Sequence, residues 1–521
     1  MTGSTERPKR VTDDDRIPPE LVVVTIGAVL VGIVLRFVAR TPLWLDEALS
    51  VNVAALPIAD IPEALRHDGH PPLYYFLLHG WMEWVGTSDI AVRALSGLLS
   101  VATLPLAWLA ARRRGGRTLA LITVAVLALA PFALRYATET RMYALVMLLV
   151  FAGYLLVDDV VRRGRGGYLR LVGITIVTAL LLYSHYWAIW LLGAVVMVVG
   201  WRALRSSDRS EKRGARTVLI AIAVGGLLFV PWVPSLLYQS THTGTPWATA
   251  QRPASILAVT LADFGGGDFR DAEFMGTVLA LLFVLGLFGR AIARDRIQLE
   301  LRTEGQFRYE SLVVLLTMVL GSIVAYASSS AYASRYTAVL FPMFILVIAG
   351  GVSRFLDRWV RLGVLGVVLA LSLVGAYYGA TASRTQADQI AAAVSTSARP
   401  GDLVIYCPDQ LGPAGERAMR SDLDQVVFPD FTSPTRVDWV DYAERNQNAS
   451  AQDFAMAAAS RAGPEQGVFL VWSGDYRGVE DQCERVLEAL TATRGGGQVL
   501  VAEDGDEHFE HAQLVWFPAE T

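Results

Sequence analysis

Apolar runs close to the roughly 20 residues that a helix needs to cross a bilayer recur along the first three quarters of the chain. They stop near Ala380. The first run covers about 20–39 and is followed by a stretch, 40–89, too rich in proline and polar residues to be a simple span. Within it, apolar positions keep helical spacing over 52–66 and 72–85, which predicts two short helices lying along the membrane interface. Tyr74, Tyr75, Trp81 and Trp84 suit that depth. Further spans are predicted at about 90–111, 118–134, 142–157, 171–183, 187–201 and 217–230, the last broken by Pro231-Trp232-Val233-Pro234. A loop reaching Phe274 and containing Gly265-Gly266-Gly267 leads to four more, at 275–293, 311–327, 336–352 and 362–380. The expected fold class is therefore a polytopic α-helical membrane protein of about eleven spans.

Beyond Ala380 the pattern changes period. Strand-like runs at 402–407, 467–472, 498–502 and 513–517 alternate with helical stretches at 451–462 and 481–492, so residues 381–521 read as a small soluble α/β domain. Gly495-Gly496-Gly497 is expected to be a turn, because a phosphate loop needs a strand before it and a helix after it.

Composition agrees with this division: 53% of the 521 residues are hydrophobic. The net charge is −4, and the positive residues are not pooled in one basic surface, as nucleic acid would need, but scattered as short clusters between apolar runs, where they set topology. The clusters are Arg7, Lys9, Arg10 and Arg16; 112–117; 162–170; 202–216; 290–308; and 354–361. Placing them in the cytoplasm makes residues 1–19 a disordered cytoplasmic arm, residues 20–380 the membrane domain, and the tail extracytoplasmic in a plasma-membrane protein. No cleavable signal is visible. Cys407 and Cys483 both lie in the tail, where a disulfide is possible but not required.

Charge left in otherwise sparse outer loops marks the candidate chemistry. Asp46-Glu47 directly follows the first span; a carboxylate there can act as general base on a hydroxyl, or share a divalent cation, and a helix cap is the plain structural alternative. His70 precedes Pro71-Pro72, which fixes the chain direction and starts a helix. Arg135, Glu139, Arg141 and Tyr143 form a second cluster, and Arg335-Tyr336 a third; planar guanidinium donors suit a phosphate, although arginines also anchor spans at the interface. His185, at the end of another span, is a weaker candidate.

The acidic pair after a first span, His70-Pro71-Pro72-Leu73-Tyr74-Tyr75, and Arg135-Tyr136 followed by Arg141-Met142-Tyr143 together resemble the family 39 polytopic glycosyltransferases of the GT-C fold class, a group that includes protein O-mannosyltransferases and lipid A aminoarabinose transferases. The likeness covers about 21–201, continues loosely to 380 through Ser334-Arg335-Tyr336, and omits the tail. It implies a polyprenyl-phosphate sugar as donor, Asp46 as base with Glu47 in support, Arg135, Arg141 and Arg335 on the carrier phosphate, and His70 on the acceptor side. The acceptor is then a glycan, glycolipid or protein, and mannose the first choice of sugar. Two departures matter: His70 stands where the aminoarabinose branch has lysine, and no large central luminal domain interrupts the spans. A transporter or flippase of lipid-linked sugars is the rival reading, but no internal repeat supports it. A sensor or scaffold using the tail for binding gives no reason for Asp46, His70 and Arg135 to occur together.

Overall fold

A computed structural model of the protein describes residues 17–245, 251–267, 271–300, 303, 305–327, 332–474 and 476–519. The basic part of the N-terminal arm, Arg302 and residues 328–331 of the turn before Arg335 lie outside the described residues. Among the described residues six helices are long and apolar enough to cross a membrane, and five shorter apolar helices accompany them.

In chain order the membrane part comprises α1 (Pro19–Leu35), α2 (Leu45–Ala54), α3 (Ile61–Asp68), α4 (Leu73–Val85), α5 (Asp89–Leu129) and α6 (Pro131–Arg135). Next come α7 (Tyr143–Val161), α8 (Tyr168–Ser184), α9 (Ala188–Arg205), α10 (Arg209–Leu228), α11 (Val233–His242), α12 (Pro253–Gly265) and α13 (Ala272–Phe288). A hairpin of β1 (Gly289–Ala293) and β2 (Arg296–Leu299) leads to α14 (Arg308–Ala327), α15 (Phe341–Ser353) and α16 (Arg358–Thr381). The spans expected at 90–111 and 118–134 form α5, with the end of the second in α6; the helical geometry of α5 is broken at Gly115 and Gly116, and the latter has φ +77°, a conformation that glycine adopts without penalty. Close helix contacts rest on small residues, as is usual where lipid supplies no hydrophobic drive between helices. A Cβ on Gly286 would collide with the Val347 carbonyl, and one on Gly351 with the Leu282 carbonyl, so α13 and α15 touch backbone to backbone.

Several expectations change. The helix predicted at 52–66 is instead α2 and α3, separated around Pro57, and α2 does not lie on an interface: eight of its ten residues are buried. Its apolar residues face all round because a second layer covers it. Tyr74 and Tyr75 are also buried, their hydroxyls bonded to Ser96 Oγ at 2.9 Å and Asp68 Oδ2 at 3.1 Å. The span expected at 275–293 ends at Phe288, where the chain turns into the hairpin. The expected loop after Pro231 holds α11 and α12, the latter packed on α13.

The covering layer is the tail. It contains α17 (Ala387–Ser397), β3 (Leu403–Cys407), α18 (Gly412–Ala418), β4 (Asp424–Val427), α19 (Tyr442–Asn448), α20 (Ala451–Ala462), β5 (Val468–Trp472), α21 (Gln482–Arg494), β6 (Gln498–Val501) and β7 (Gln513–Phe517). The strands form one mixed sheet in the order β4-β3-β5-β7-β6, with β3 parallel to both neighbours and β7 antiparallel to both of its own. The glycine run at 495–497 links α21 to β6, helix before strand, as expected of a turn. β4 escapes sequence reading because only its last two positions are apolar and buried. Cys407 and Cys483 are joined, tying the end of β3 to α21. One face of the sheet packs on α20 and α21, and this core also takes in Trp44, Leu45 and Leu49 from the start of α2. The tail thus shares a hydrophobic core with the first loop of the membrane part. Further ties are Asn52 Nδ2 donating to Thr435 O at 2.6 Å, Trp439 N to His67 O at 3.0 Å, and Arg417 paired with Asp89 at 2.8 Å.

Replacing Gly286 with leucine should drive α13 and α15 apart. The expected outcome is loss of monodisperse folded protein, read by size-exclusion chromatography in detergent, whereas Gly363→Leu, where a Cβ would meet open space, should leave the elution profile unchanged.

Candidate active site

Asp46 occupies the first turn of α2, where the unsatisfied N–H groups and helix dipole favour a carboxylate. No side chain of its own caps this helix; the Leu45 N–H donates to Glu510 Oε2 of the tail at 3.3 Å. Asp46 Oδ2 lies 3.3 Å from Arg335 Nη1 and 3.9 Å from Arg141 Nη2. Burial opposes ionisation of Asp46, but these two guanidinium groups outweigh it and hold the carboxyl below its usual range. It is therefore a carboxylate at neutral pH.

Glu47, one residue on, faces away from that pair. It is fully buried; Arg93 donates Nε to Oε1 at 2.8 Å and Nη2 to Oε2 at 2.5 Å, and the Thr140 N–H donates to Oε1 at 2.9 Å. The same arginine donates Nη1 to Thr41 O at 2.5 Å and Nη2 to Pro42 O at 3.1 Å. Glu47 is thus a clamp joining α2, α5 and the 139–141 turn. The two carboxylates do not fit a shared cation: Glu47 is saturated by these donors and Asp46 faces guanidinium groups. No group of three or more His, Cys, Asp or Glu side chains suited to a metal occurs among the described residues.

His70 and Arg141 complete the inner part. Arg141 Nη2 donates to His70 Nε2 at 2.8 Å, so the imidazole carries its hydrogen on Nδ1, 2.9 Å from Asp68 Oδ2. Arg141 Nη1 also reaches Ser50 Oγ at 3.2 Å and the Asp46 carbonyl at 3.3 Å. Around them pack Tyr143, His185 and Tyr336, with ring centroids 5.7 Å apart for Tyr143–His185 and 5.3 Å for His185–Tyr336. His185 Nδ1 accepts from Trp187 N at 3.1 Å, and burial, helped by neighbouring positive charge, lowers the imidazole to about 3. The ring packs between those of Tyr143 and Tyr336.

Arg135 and Glu139 belong to the rim. Arg135 Nη1 lies 3.4 Å from Asp263 Oδ1, and Glu139 Oε2 accepts from Arg384 Nη1 at 2.8 Å. Asp68, Asp263, Arg384 and Glu510 carry no mark in the sequence that joins them to the site. Asp68 is within reach by position alone, being two residues before His70 in the Asp68-Gly69-His70 turn; the other three are joined to their partners only by the fold.

Asp46, Arg135, Arg335 and Arg384 line a cavity of about 560 Å³ between the bundle and the tail, with tail residues from 410 to 511 forming its far wall. A second, apolar cavity of about 120 Å³ lies among α7, α8, α9, α10 and α14. Its polar floor, Glu310, is taken by Arg114 at 3.1 Å, Arg162 at 3.2 Å and Tyr154 at 2.8 Å.

Removing Arg93 while leaving Glu47 strands a buried charge. Arg93→Ala is expected to cost about 3–5 kcal/mol, read as a fall in thermal stability in detergent, with partial recovery in the Arg93→Ala, Glu47→Ala double variant. A second expectation concerns pH. Burial raises the Glu510 carboxyl from 4.5 to about 8, so its ionisation opposes the docked state progressively across that interval. Thermal stability should fall more steeply between pH 5 and pH 8 in the wild type than in Glu510→Gln, by roughly the proton linkage of one group.

Residues 69–234 match the family model described as dolichyl-phosphate-mannose-protein mannosyltransferase. No curated protein matches the chain in sequence. Among solved structures the fold resembles that of ArnT from Cupriavidus metallidurans in the apo state, with a TM-score of 0.62 at 12% identity over 96% of this chain and 98% of that one. The same protein bound to undecaprenyl phosphate aligns with a TM-score of 0.55 at 13% identity, over the same shares of each chain. The Archaeoglobus fulgidus oligosaccharyltransferase, in complex with Zn and sulfate, aligns with a TM-score of 0.51 at 11% identity over 86% of this chain and 68% of that one. With its membrane helices, its tail and its charged chamber on the page, the chain is a multi-pass membrane protein with the GT-C fold, the fold it shares with ArnT.

Proposed function

We propose that this protein transfers a sugar from a polyprenyl-phosphate carrier to a hydroxyl group, with Asp46 as general base. The observation that carries the reading is the Asp46 carboxylate held 3.3 Å from Arg335 and 3.9 Å from Arg141 at the wall of the large cavity. Arg135 and Arg384 line the same cavity and add positive charge to it. A phosphate bound there competes with Asp46 for Arg335. As the guanidinium turns to the phosphate, the carboxylate loses the partner that depresses its proton affinity and becomes a better base.

In the step itself, the acceptor oxygen attacks the anomeric carbon while its proton passes to Asp46. The bond from the anomeric carbon to the phosphate oxygen breaks, and the electron pair leaves on the polyprenyl phosphate, whose charge the arginines stabilise. In-line displacement inverts the anomeric centre. His70, fixed by Asp68, orients Arg141; Glu47 and Arg93 hold the turn that presents Asp46. On the matched family description mannose is the sugar proposed. The acceptor lies outside the membrane, on the side that receives the tail under the topology set by the basic clusters.

The experiment uses purified protein in proteoliposomes with radiolabelled polyprenyl-phosphate mannose and a panel of related donors. Asp46→Asn is expected to lower turnover by about 10²–10⁴-fold, and Arg335→Ala to raise the donor KM more than Arg335→Lys does. No transfer or hydrolysis from any donor would sink the enzyme reading, and a fully active Asp46→Asn would sink the base assignment.

A further inference from the structure

The apolar cavity among α7, α8, α9, α10 and α14 takes no part in the chemistry above, and it lies at the other end of the bundle. α7 begins at Tyr143 of the chamber and runs into Arg162 of this cavity 19 residues on, about 28 Å away. Along α9 the cavity is lined from Leu191 to Arg202, a rise of about 16 Å, so its volume of about 120 Å³ is drawn out into a slot. Val157, Val177, Leu181, Leu191, Val195 and Val313 make its walls apolar. A hollow of this kind offers water few partners and takes an apolar guest instead.

Charge gathers at one end of the slot, where Asp158, Arg162, Arg202 and Glu310 line it beside Tyr309. The carboxylates there are already matched, Glu310 by Arg114 and Arg162, and Asp158 by Arg162 at 3.7 Å and Arg163 at 3.5 Å. Arg202 keeps capacity to spare. It gives Nε to Glu211 Oε1 at 2.5 Å and lays its guanidinium over the Tyr309 ring, 4.5 Å from the centroid, while neither Nη group donates a hydrogen bond among the described residues. The Tyr309 hydroxyl is likewise unbonded among them, and neither it nor those Nη groups is sealed from solvent. The surroundings are one-sided in charge: residues 158–170 and 202–216 hold ten arginines and lysines against four carboxylates.

We propose that this slot holds one acyl chain of an anionic phospholipid from the inner leaflet, with the lipid phosphate on the Arg202 guanidinium and the Tyr309 hydroxyl. Basic pockets between membrane helices on the cytoplasmic side suit anionic headgroups, and the basic clusters place this end of the bundle there. A phosphate oxygen accepts from a guanidinium N–H and from a phenol O–H, and the chain fills a hollow that water would leave poorly bonded. A zwitterionic headgroup brings a cation of its own among ten basic side chains; an anionic one does not. The polyprenyl donor is the wrong guest, because with its phosphate in the chamber its head lies at the opposite end of α7. The slot is a second lipid site, and it stands whether or not the transferase reading holds.

The test measures lipid binding without turnover. Full-length protein in detergent, stripped of lipid, is titrated with dioleoyl phosphatidylglycerol, dioleoyl phosphatidylcholine and undecaprenyl phosphate, and native mass spectrometry counts what binds. Phosphatidylglycerol should occupy one saturable site roughly tenfold more tightly than phosphatidylcholine, and an equimolar amount of undecaprenyl phosphate should leave it in place. Arg202→Gln should weaken phosphatidylglycerol about tenfold, and Tyr309→Phe, which keeps the ring and removes only the hydroxyl, about threefold. Val195→Trp, which fills the slot, should abolish saturable binding; should that variant fail to fold by size-exclusion chromatography, the two polar variants decide. Equal affinity for the two phospholipids would overturn the proposal, as would unchanged phosphatidylglycerol binding in folded Arg202→Gln or Val195→Trp. Displacement of phosphatidylglycerol by undecaprenyl phosphate would overturn it too, by giving the slot to the carrier.

Discussion

The chamber depends on one buried ion pair that takes no part in its chemistry. Arg93 grips Glu47 with two donors and the neck of the first loop with two more, so the start of α2 is fixed against α5 before any substrate arrives. Such a pair repays its desolvation only when its remaining hydrogen-bonding capacity is filled, and here the Thr140 amide does that. The same amide brings the 139–141 turn, and with it Arg141, to the side of Asp46. Position, rather than added stability, is what this cluster supplies.

The chamber is also an arrangement of competing charges. Without an anionic ligand, Asp46 is the counter-ion of Arg335 and Arg141, which makes it stable and a poor base. Electrostatic preorganisation in this form is reciprocal: the arginines are kept from collapsing onto other carboxylates, and the carboxylate is kept ionised in a buried place. The rim follows the same logic, with Arg384 matched to Glu139 and Arg135 set beside Asp263.

Much of this was legible in the sequence, for a reason that also explains what was not. Charge in a membrane protein is expensive, so Asp46, His70, Arg135, Arg141 and Arg335 stood out against apolar surroundings, and the fold brings Asp46, His70, Arg141 and Arg335 into one cluster. The spans were visible because bilayer thickness imposes a length. What pattern could not reveal was pairing between distant segments: Glu47 with Arg93, Arg384 with Glu139, Glu510 with the α2 amide. Nor could it reveal that α2 is covered. Apolar spacing over 52–66 reads as a one-sided interfacial helix, and only the docked tail shows that the chain around α2 is covered on its other side as well. The hairpin after Phe288 is hidden because Ala291, Ile292 and Ala293 carry the apolar run on past the single charge of Arg290.

The bond from the Leu45 amide to Glu510 spans 465 residues of sequence. In folding terms it is among the most non-local contacts a chain of this length can make, and it cannot form until nearly the whole polypeptide has been synthesised. The helix that presents Asp46 therefore stays open at its first turn, and its Trp44, Leu45 and Leu49 lack their apolar partners, throughout insertion of the bundle. Closure of the chamber comes at the end of biogenesis, and a chain halted before its last strand would carry every charged residue of the inner chamber yet leave Asp46 on a helix without the contacts that fix it.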